Sequence, residues 1–362
     1  MTKIYFTVTN DLSYDQRMIR ICSSLAEDGY NIVLVGRKLK SSIPLKQMPY
    51  KQIRLNCFFI NGFAFYFVYN IQLFLYLLFK KMDGICAIDL DTIIPCLLVS
   101  KLKNTKRIYD AHELFCEMKE ISERPKIYKF WKLIERSTVP YFKNGYTVNN
   151  LIAEEFKKMY NLNYEVIRSI AKYNHNLQVA KREKFLIYQG AVNEGRSFET
   201  LIPAMKFINV PLHIFGDGNF MNKAIELTEK YDLKGKIIFH GMVSPQELEA
   251  FTSKAYIGLT LFEPGAKSNY FSLANRFFHY IQAATPQVCV AYPVYEQINK
   301  EYEIAVLTND ISPESLSNII NDLLADDERW NKIHQNCIDA SKVLNWQNES
   351  VKLISFYKNI FG

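Results

Sequence analysis

The chain of 362 residues is 49% hydrophobic and 22% charged, which excludes a disordered protein, and its length exceeds what one ordinary core organises, so two domains are expected. Lys and Arg outnumber Asp and Glu by 44 to 37, for a formal net charge of +7, but the basic residues are spread along the chain. That favours an anionic small molecule or an anionic membrane surface over nucleic acid, which needs a denser basic patch.

The start, "MTKIYFTVTN", reads as a first strand and not as a secretion signal. Strands are expected at 3–8, 31–36, 52–55, 85–88, 107–109, 146–148 and 164–167, with helices between them near 16–28, 63–82, 92–103, 125–143 and 150–160. This alternation predicts an α/β fold, a parallel sheet with helices on both faces. "GYNIVLVGR" shows the pattern: Gly29 closes a helix, and an unbroken apolar run follows that suits a strand covered on both sides. The seven cysteines show no paired spacing and read as reduced thiols of a cytosolic protein.

Residues 58–79, "FFINGFAFYFVYNIQLFLYLLF", hold no formal charge over 22 positions, nominally enough to span a bilayer. Asn61, Gly62, Asn70 and Gln72 count against a span, as does the position between strands of one domain. Three readings stay open: a buried core helix, a helix lying on a membrane surface, and a span.

Two clusters of charge follow consecutive strands, "ICAIDLDT" at 85–92 and "RIYDAHELFCEMKE" at 107–120. A right-handed crossover makes these strands parallel, so Asp89, Asp91, Asp110, His112 and Glu113 crowd one sheet edge, together with Asn10 and Asp11. The cluster reads as metal ligands, as helix caps and ion pairs with Arg17, Arg20 or Arg107, or as a polar site wall with His112 as hydrogen-bond donor or acid/base group. Glu117 has no role that its position argues.

Polar residues at 169–183 read as a linker, giving a first domain at 1–168, a second at 184–344 and a last helical segment at 345–362. The second domain repeats the alternation, with strands at 184–190, 211–216, 236–241, 256–261, 287–292 and 304–307 and helices near 196–207, 219–231, 245–254, 272–284 and 313–325. Two doubly wound domains of this kind are expected to face each other across a cleft at the carboxyl edges of their sheets. "YQGAVNEGRSFETLI" passes from strand through a glycine turn into a helix, with Gly190 and Arg196 where an anion could sit. "IFGDGN" repeats the plan with Gly216 and Gly218, but a dinucleotide site needs a third glycine and a later acidic residue. On a helix numbered from Ser272, Leu273, Phe277, Ile281 and Ala284 form a buried stripe, while Ser272, Asn275, His279 and Gln282 form a polar one that suits a lined cleft. The loop before it carries Glu263, Gly265, Lys267, Ser268 and Asn269. Walker A, H-E-x-x-H, zinc-type Cys/His and G-x-S-x-G motifs are all missing.

In order and spacing, "DQRMIRICSSLAEDGYNIVLVG", "DLDT", "YDAHELFCE", "GAVNEGR", "IFGDGN", "IIFHGMVSPQELEAF", "YIGLTLFEP", "SLANRFFHYIQAATPQV" and "LNWQNESVKLISFY" resemble the GT-B glycosyltransferases, in particular the retaining family 4 group of polysaccharide and glycolipid assembly. The resemblance covers nearly the whole chain. It implies two Rossmann-like domains, a terminal helix crossing back to the first, and a metal-independent enzyme without a tightly bound cofactor. The co-substrate is a nucleotide-diphosphate sugar, a UDP- or GDP-sugar, and the acceptor a glycan or lipid-linked sugar. By motif position, Arg196 contacts the diphosphate with Ser272 and Asn275 nearby, Gly190 and Gly216 lie in the donor-binding turns, Gly241, Met242 and Val243 border the base, and Glu263 lies near the donor sugar. His112 sits at the reaction centre, with Asp110 and Glu113 as its supports. One departure stands out. Many relatives carry a ribose-binding Glu seven residues before the next strand's Pro, and here that position is His279, which offers one acceptor where a carboxylate offers two. The greasy segment and the basic balance add a peripheral contact with the inner face of the membrane through residues 58–80. Competing readings are a nucleotide-sugar epimerase or hydrolase on the same architecture and a degenerate nucleotide-sugar-binding subunit.

Overall fold

The computed structural model describes every residue except Tyr14, Ser41, Ile60, Asn61, Val179 and Ala266. Asn61, weighed above against a membrane span, therefore lies outside the described residues. The chain divides into two compact units, Met1–Ser169 with Glu349–Gly362, and Ile170–Asn348.

In the first unit the elements run β1 (Lys3–Thr7), α1 (Gln16–Glu27), β2 (Asn31–Lys38), β3 (Lys51–Asn56), α2 (Gly62–Leu78), β4 (Gly84–Ile88), α3 (Ile93–Lys103), β5 (Lys106–Ala111), α4 (Lys119–Ser122), α5 (Pro125–Thr138), β6 (Asn144–Thr147), α6 (Asn150–Tyr160) and β7 (Glu165–Val166). All seven strands are parallel, in the order β3-β2-β1-β4-β5-β6-β7. β4, all apolar or Gly, is buried at every position because helices cover both faces of the sheet. α1 starts where the Asp15 carboxylate accepts the Met18 amide at 2.9 Å, satisfying a backbone donor the helix leaves unpaired. α5 ends at Thr138, short of the expected 143, because Pro140 has no N–H to continue the ladder, and Val139–Tyr141 tighten into a 3-10 turn. α2 stops at Leu78, short of the expected 82.

The second unit runs β8 (Glu183–Gln189), α7 (Phe198–Ala204), β9 (Leu212–Phe215), α8 (Met221–Lys230), β10 (Ile237–Gly241), α9 (Pro245–Lys254), β11 (Ala255–Thr260), α10 (Lys267–Tyr270), α11 (Asn275–Gln282), β12 (Gln287–Val290), α12 (Pro293–Tyr302), β13 (Ala305–Thr308), α13 (Pro313–Ala325) and α14 (Asp327–Val343). Its six parallel strands are ordered β10-β9-β8-β11-β12-β13. The last helix, α15 (Trp346–Phe361), starts in this unit, and from Glu349 onward it belongs to the first, where Tyr357 is buried against Phe6 and Tyr146.

The helix expected at 272–284 is shorter than the periodicity predicted. It begins at Asn275 with Ala274 as its N-cap, so Ser272 lies in the preceding loop. Leu273, Phe277, Ile281 and Ala284 are buried as expected, but Gln282 does not line an opening. It is 1% exposed and donates to the Leu344 carbonyl at 2.6 Å, which ties α11 to the end of α14. All seven cysteines are free thiols, and six of them are buried, Cys57 being half-buried. Among the described residues no helix is long and apolar enough to cross a membrane.

Candidate functional site

In each sheet the strand order reverses once, between β1 and β4 and between β8 and β11, and the chemistry-bearing loops gather at those carboxyl ends. In the first unit, the register that sets Ile88 beside Asp110 brings the loop after β4 against the end of β5. The Asp110 carboxylate is fully buried and takes a two-pronged bond from Arg17, 2.7 Å from Nη2 and 3.3 Å from Nε. It also faces His112 Nε2 at 3.3 Å. Asp89 completes a clamp on the imidazole: its Oδ2 is 3.2 Å from His112 Nδ1, and its Oδ1 accepts the His112 amide at 2.9 Å.

Burial opposes the imidazolium, but Asp89 and Asp110 outweigh it and push the His112 pKa up to about 10. Burial likewise opposes ionisation of Asp110, and Arg17 and His112 overcome it and hold that carboxyl below its usual range. At neutral pH His112 is therefore a fixed cation and hydrogen-bond donor, not a base. Its ring is 26% exposed and Asp89 18%, against 0% for Asp110, so the ring is open on the Asp89 side and closed on the Asp110 side. Asp89 holds this position at φ 53° and ψ −175°, a backbone region that glycine normally occupies and that costs other residues about 1–3 kcal/mol. Asp91, two residues on, is pushed up to about 7 by burial, with its Oδ2 taking the Thr9 hydroxyl at 2.5 Å. Glu113 lies half-buried in the bend after β5, and the contacts that clamp the ring come from Asp89 and Asp110.

In the second unit the turns after β8 and β9 interlock. Gly190 and Gly216 have φ of 126° and 132°, and a Cβ on Gly216 would stand 1.9 Å from the Gly190 carbonyl oxygen. Val192 donates to the Asp217 carbonyl at 3.1 Å, and Phe220 donates back to the Val192 carbonyl at 2.9 Å. The Glu263 amide donates to the Gly195 carbonyl at 3.0 Å, which sets the loop after β11 beside Arg196. Two guanidiniums flank the buried Phe262 ring, with Arg196 Cζ at 4.6 Å and Arg276 Cζ at 4.7 Å from its centroid. Arg196 also reaches Asn269 Oδ1 at 3.4 Å. Arg276 is 7% exposed and donates to the Tyr188 hydroxyl and the Leu261 carbonyl, each at 3.1 Å.

Ser272 Oγ is 3.4 Å from the Tyr295 hydroxyl, which accepts the Ala274 amide at 3.0 Å, so Tyr295 fixes the entry to α11. Asn275 is exposed at that entry, and His279, one turn later, meets Gln189 Nε2 through its Nδ1 at 2.9 Å. Gly241, at φ 65°, accepts the Gly216 amide at 2.8 Å. Met242 is 61% exposed, and Val243 packs on the core of Phe185, Ile187 and Phe215. His240 stacks on Phe215 with centroids 4.2 Å apart and faces His213 across 3.0 Å. Burial lowers both imidazole pKa values, and their mutual repulsion lowers that of His213 further.

The structure thus groups Gly190, Arg196, Gly216 and Glu263, with Ser272 and Asn275 at the entry to α11 and His279 one turn along it. Three contributors escaped the sequence reading. Asp89 was placed at the edge but not assigned to His112, although strand register points to it. Arg276 and His240 carry no motif that separates them from ordinary helix and strand residues. Among the described residues no group of three or more His, Cys, Asp or Glu is arranged to hold a metal ion; in the clamp both imidazole nitrogens already face carboxylates.

Residues 169–341, the span that carries these interlocked turns, match the family described as Glycosyl transferases group 1. Over this span the chain is similar to the group 1 glycosyl transferases. The whole chain has the GT-B fold. It is similar to sucrose-phosphate synthase from Thermosynechococcus elongatus at 16% identity and a TM-score of 0.82, covering 100% of this chain and 99% of that one. It is also similar to Anabaena HepE, solved with UDP and glucose, at 11% identity and a TM-score of 0.76 over 99% of each chain. WaaG, a glycosyltransferase involved in lipopolysaccharide biosynthesis, aligns at 14% identity and a TM-score of 0.75, covering 97% of this chain and 98% of that one. No curated protein sequence matches the chain.

Proposed function

We propose that the chain is a retaining glycosyltransferase that moves a sugar from a UDP-sugar to a glycan or lipid-linked acceptor in cell-surface polysaccharide synthesis, working at the inner face of the membrane. The observation that carries the reading is the group 1 match over residues 169–341, because that span holds an interlocked pair of glycine turns beside Arg196 and Arg276. Glycines admit a diphosphate close to the backbone, and a guanidinium stabilises the charge that builds on the leaving diphosphate without a metal. UDP is the nucleotide favoured, since HepE was solved with it.

In this reading Arg196 contacts the diphosphate, and Ser272 and Asn275 meet it at the entry to α11. Gly241, Met242 and Val243 border the base. Glu263 holds hydroxyls of the donor sugar. His279, whose ring is held at Nδ1 by Gln189, faces the ribose. His112 acts as a cationic donor to a sugar hydroxyl or the departing oxygen, with Asp110 and Asp89 fixing its ring and Glu113 beside it. The second unit takes the donor and the first the acceptor.

The test is UDP release from a panel of UDP-sugars, with and without acceptor and with chelator present. Acceptor-dependent release that survives chelator and is lost in Arg196→Ala supports the reading. Unchanged turnover in that variant removes Arg196 from its role. Product formed from donor alone favours an epimerase or hydrolase.

A further inference from the structure

α2 is apolar on every side, yet the fold covers one stripe of it. Phe65, Tyr69, Leu73 and Leu77 are buried, four residues apart, while Phe63, Phe67, Ile71 and Leu75, also four apart, are 67%, 56%, 44% and 49% exposed. Its neighbours continue the face. On α3, Leu98 and Leu102 are 47% and 68% exposed, and on α5, Phe130 is 42% exposed with its ring centroid 5.7 Å from that of Phe63. An apolar surface shared by three helices marks a place where something other than water sits.

Between these helices lies a cavity of about 450 Å³, within the size range of small-molecule sites. Its wall is almost wholly hydrocarbon and aromatic, with Trp131 and Ile134 at its buried side. The two polar side chains with the most to offer a ligand are already engaged from within. The Asn70 amide donates to the Tyr66 and Asp91 carbonyls at 2.8 and 2.9 Å, and Asp91 Oδ2 takes the Thr9 hydroxyl. A polar ligand would find little to bond, whereas a hydrocarbon chain loses nothing.

The surrounding charge selects the source of that chain. α2 and α3 contain no acidic residue, and lysines follow or join the three helices: Lys80 and Lys81 after α2, Lys101 and Lys103 in the last turn of α3, and Lys126 and Lys129 on α5. On α5 the acidic Glu135 is paired with Lys132 at 2.9 Å. Apolar helices edged by lysines complement an anionic lipid leaflet. The cavity also abuts the clamp: its wall includes Leu90 and Asp91, the two residues after Asp89, which holds His112.

We propose that the cavity between α2, α3 and α5 receives the hydrocarbon chain of a lipid-linked sugar acceptor drawn from an anionic membrane, so that the acceptor's head lies toward His112. This rests on the glycosyltransferase reading above, from which it takes the word acceptor; the lipid site itself is read from the cavity.

The experiment uses the full chain and vesicles of phosphatidylglycerol whose acyl chains carry a diazirine, with phosphatidylcholine vesicles as comparison. After photolysis, adducts are mapped by mass spectrometry. Adducts at Trp131 and Ile134 are expected with phosphatidylglycerol and at least about fivefold fewer with phosphatidylcholine, since each surface lysine adds to the attraction. Leu98→Trp, which fills the cavity from an exposed position, is expected to remove the Trp131 and Ile134 adducts while leaving those on Phe79 and Leu102. UDP binding by the same variant, measured by thermal shift, reports that it folds. Adducts confined to Phe58, Phe79 and Leu102 in the unaltered chain mean surface adsorption alone and overturn the cavity assignment. A face covered by a second copy of the chain, seen as a dimer in light scattering with no adducts, overturns it as well. Cavity adducts combined with no transfer from any UDP-sugar leave a lipid site but remove the acceptor from it.

Discussion

The sheet edges of the two units meet opposite electrostatic demands. Around His112 two positive groups, Arg17 and the imidazolium, face two carboxylates, Asp89 and Asp110, and the cluster closes on itself with every partner in place. Around Gly190 the backbone is stripped of side chains, and Arg196 and Arg276 stand against an aromatic ring. A neutral, interlocked cluster holds geometry, whereas a positive, open-backboned one accepts charge from outside. In the proposed reading the first edge positions a group and the second receives an anion.

The largest effect expected from breaking this contrast is on the receiving side. Arg196→Ala should lower turnover of a UDP-sugar by at least about 100-fold with the circular dichroism spectrum unchanged, the size of loss typical when one stabilising donor is removed. On the positioning side the loss should appear in stability. Asp110→Ala leaves Arg17 buried without its partner and should cost about 3–5 kcal/mol in urea unfolding. An unchanged midpoint would mean that the clamp does not hold the edge together.

A subtler change sharpens the comparison without dismantling it. Asp89→Asn removes one of the two charges on His112, so its titration, followed by NMR, should move down from about 10 toward the ordinary imidazole value. The same linkage gives a pH signature. Because the folded pKa lies above the unfolded one, the stability His112 supplies is complete below about pH 6.5 and is lost as pH rises through about 10. A stability profile flat between those limits in the unaltered chain, after allowing for Asp91, contradicts the clamp. The smallest effect belongs to Asp91, whose folded pKa of about 7 lies above the usual carboxyl value, so folding loses stability as pH rises from about 4 to 7. Asp91→Asn should melt like the unaltered chain at pH 3 and higher than it at pH 8.

Much of this architecture was legible in the residues because apolar runs and glycine turns are local signals. The alternation of strands and helices, the sheet edge shared by Asp89, Asp110 and His112, and the turns at Gly190 and Gly216 all follow from neighbours in sequence. What was not legible depends on contacts made across the sheet. The Asp89–His112 pair spans two strands, the burial of Gln282 depends on α14, and the place of Arg276 beneath the Gly190 turn depends on β11. The charge state of His112 was out of reach for the same reason: it is the balance of burial against two carboxylates brought together by the fold.

The distribution of thiols has a practical consequence. Six cysteines are buried, and burial pushes their pKa values up, to about 12 for Cys96 and Cys337, so at neutral pH they are slow to react. Cys57 stands apart, half-buried between β3 and α2, next to Phe58, which is 92% exposed. A maleimide dye should therefore attach once, at the margin of the apolar face, and its emission colour would report on the polarity there in the native sequence, with no residue changed.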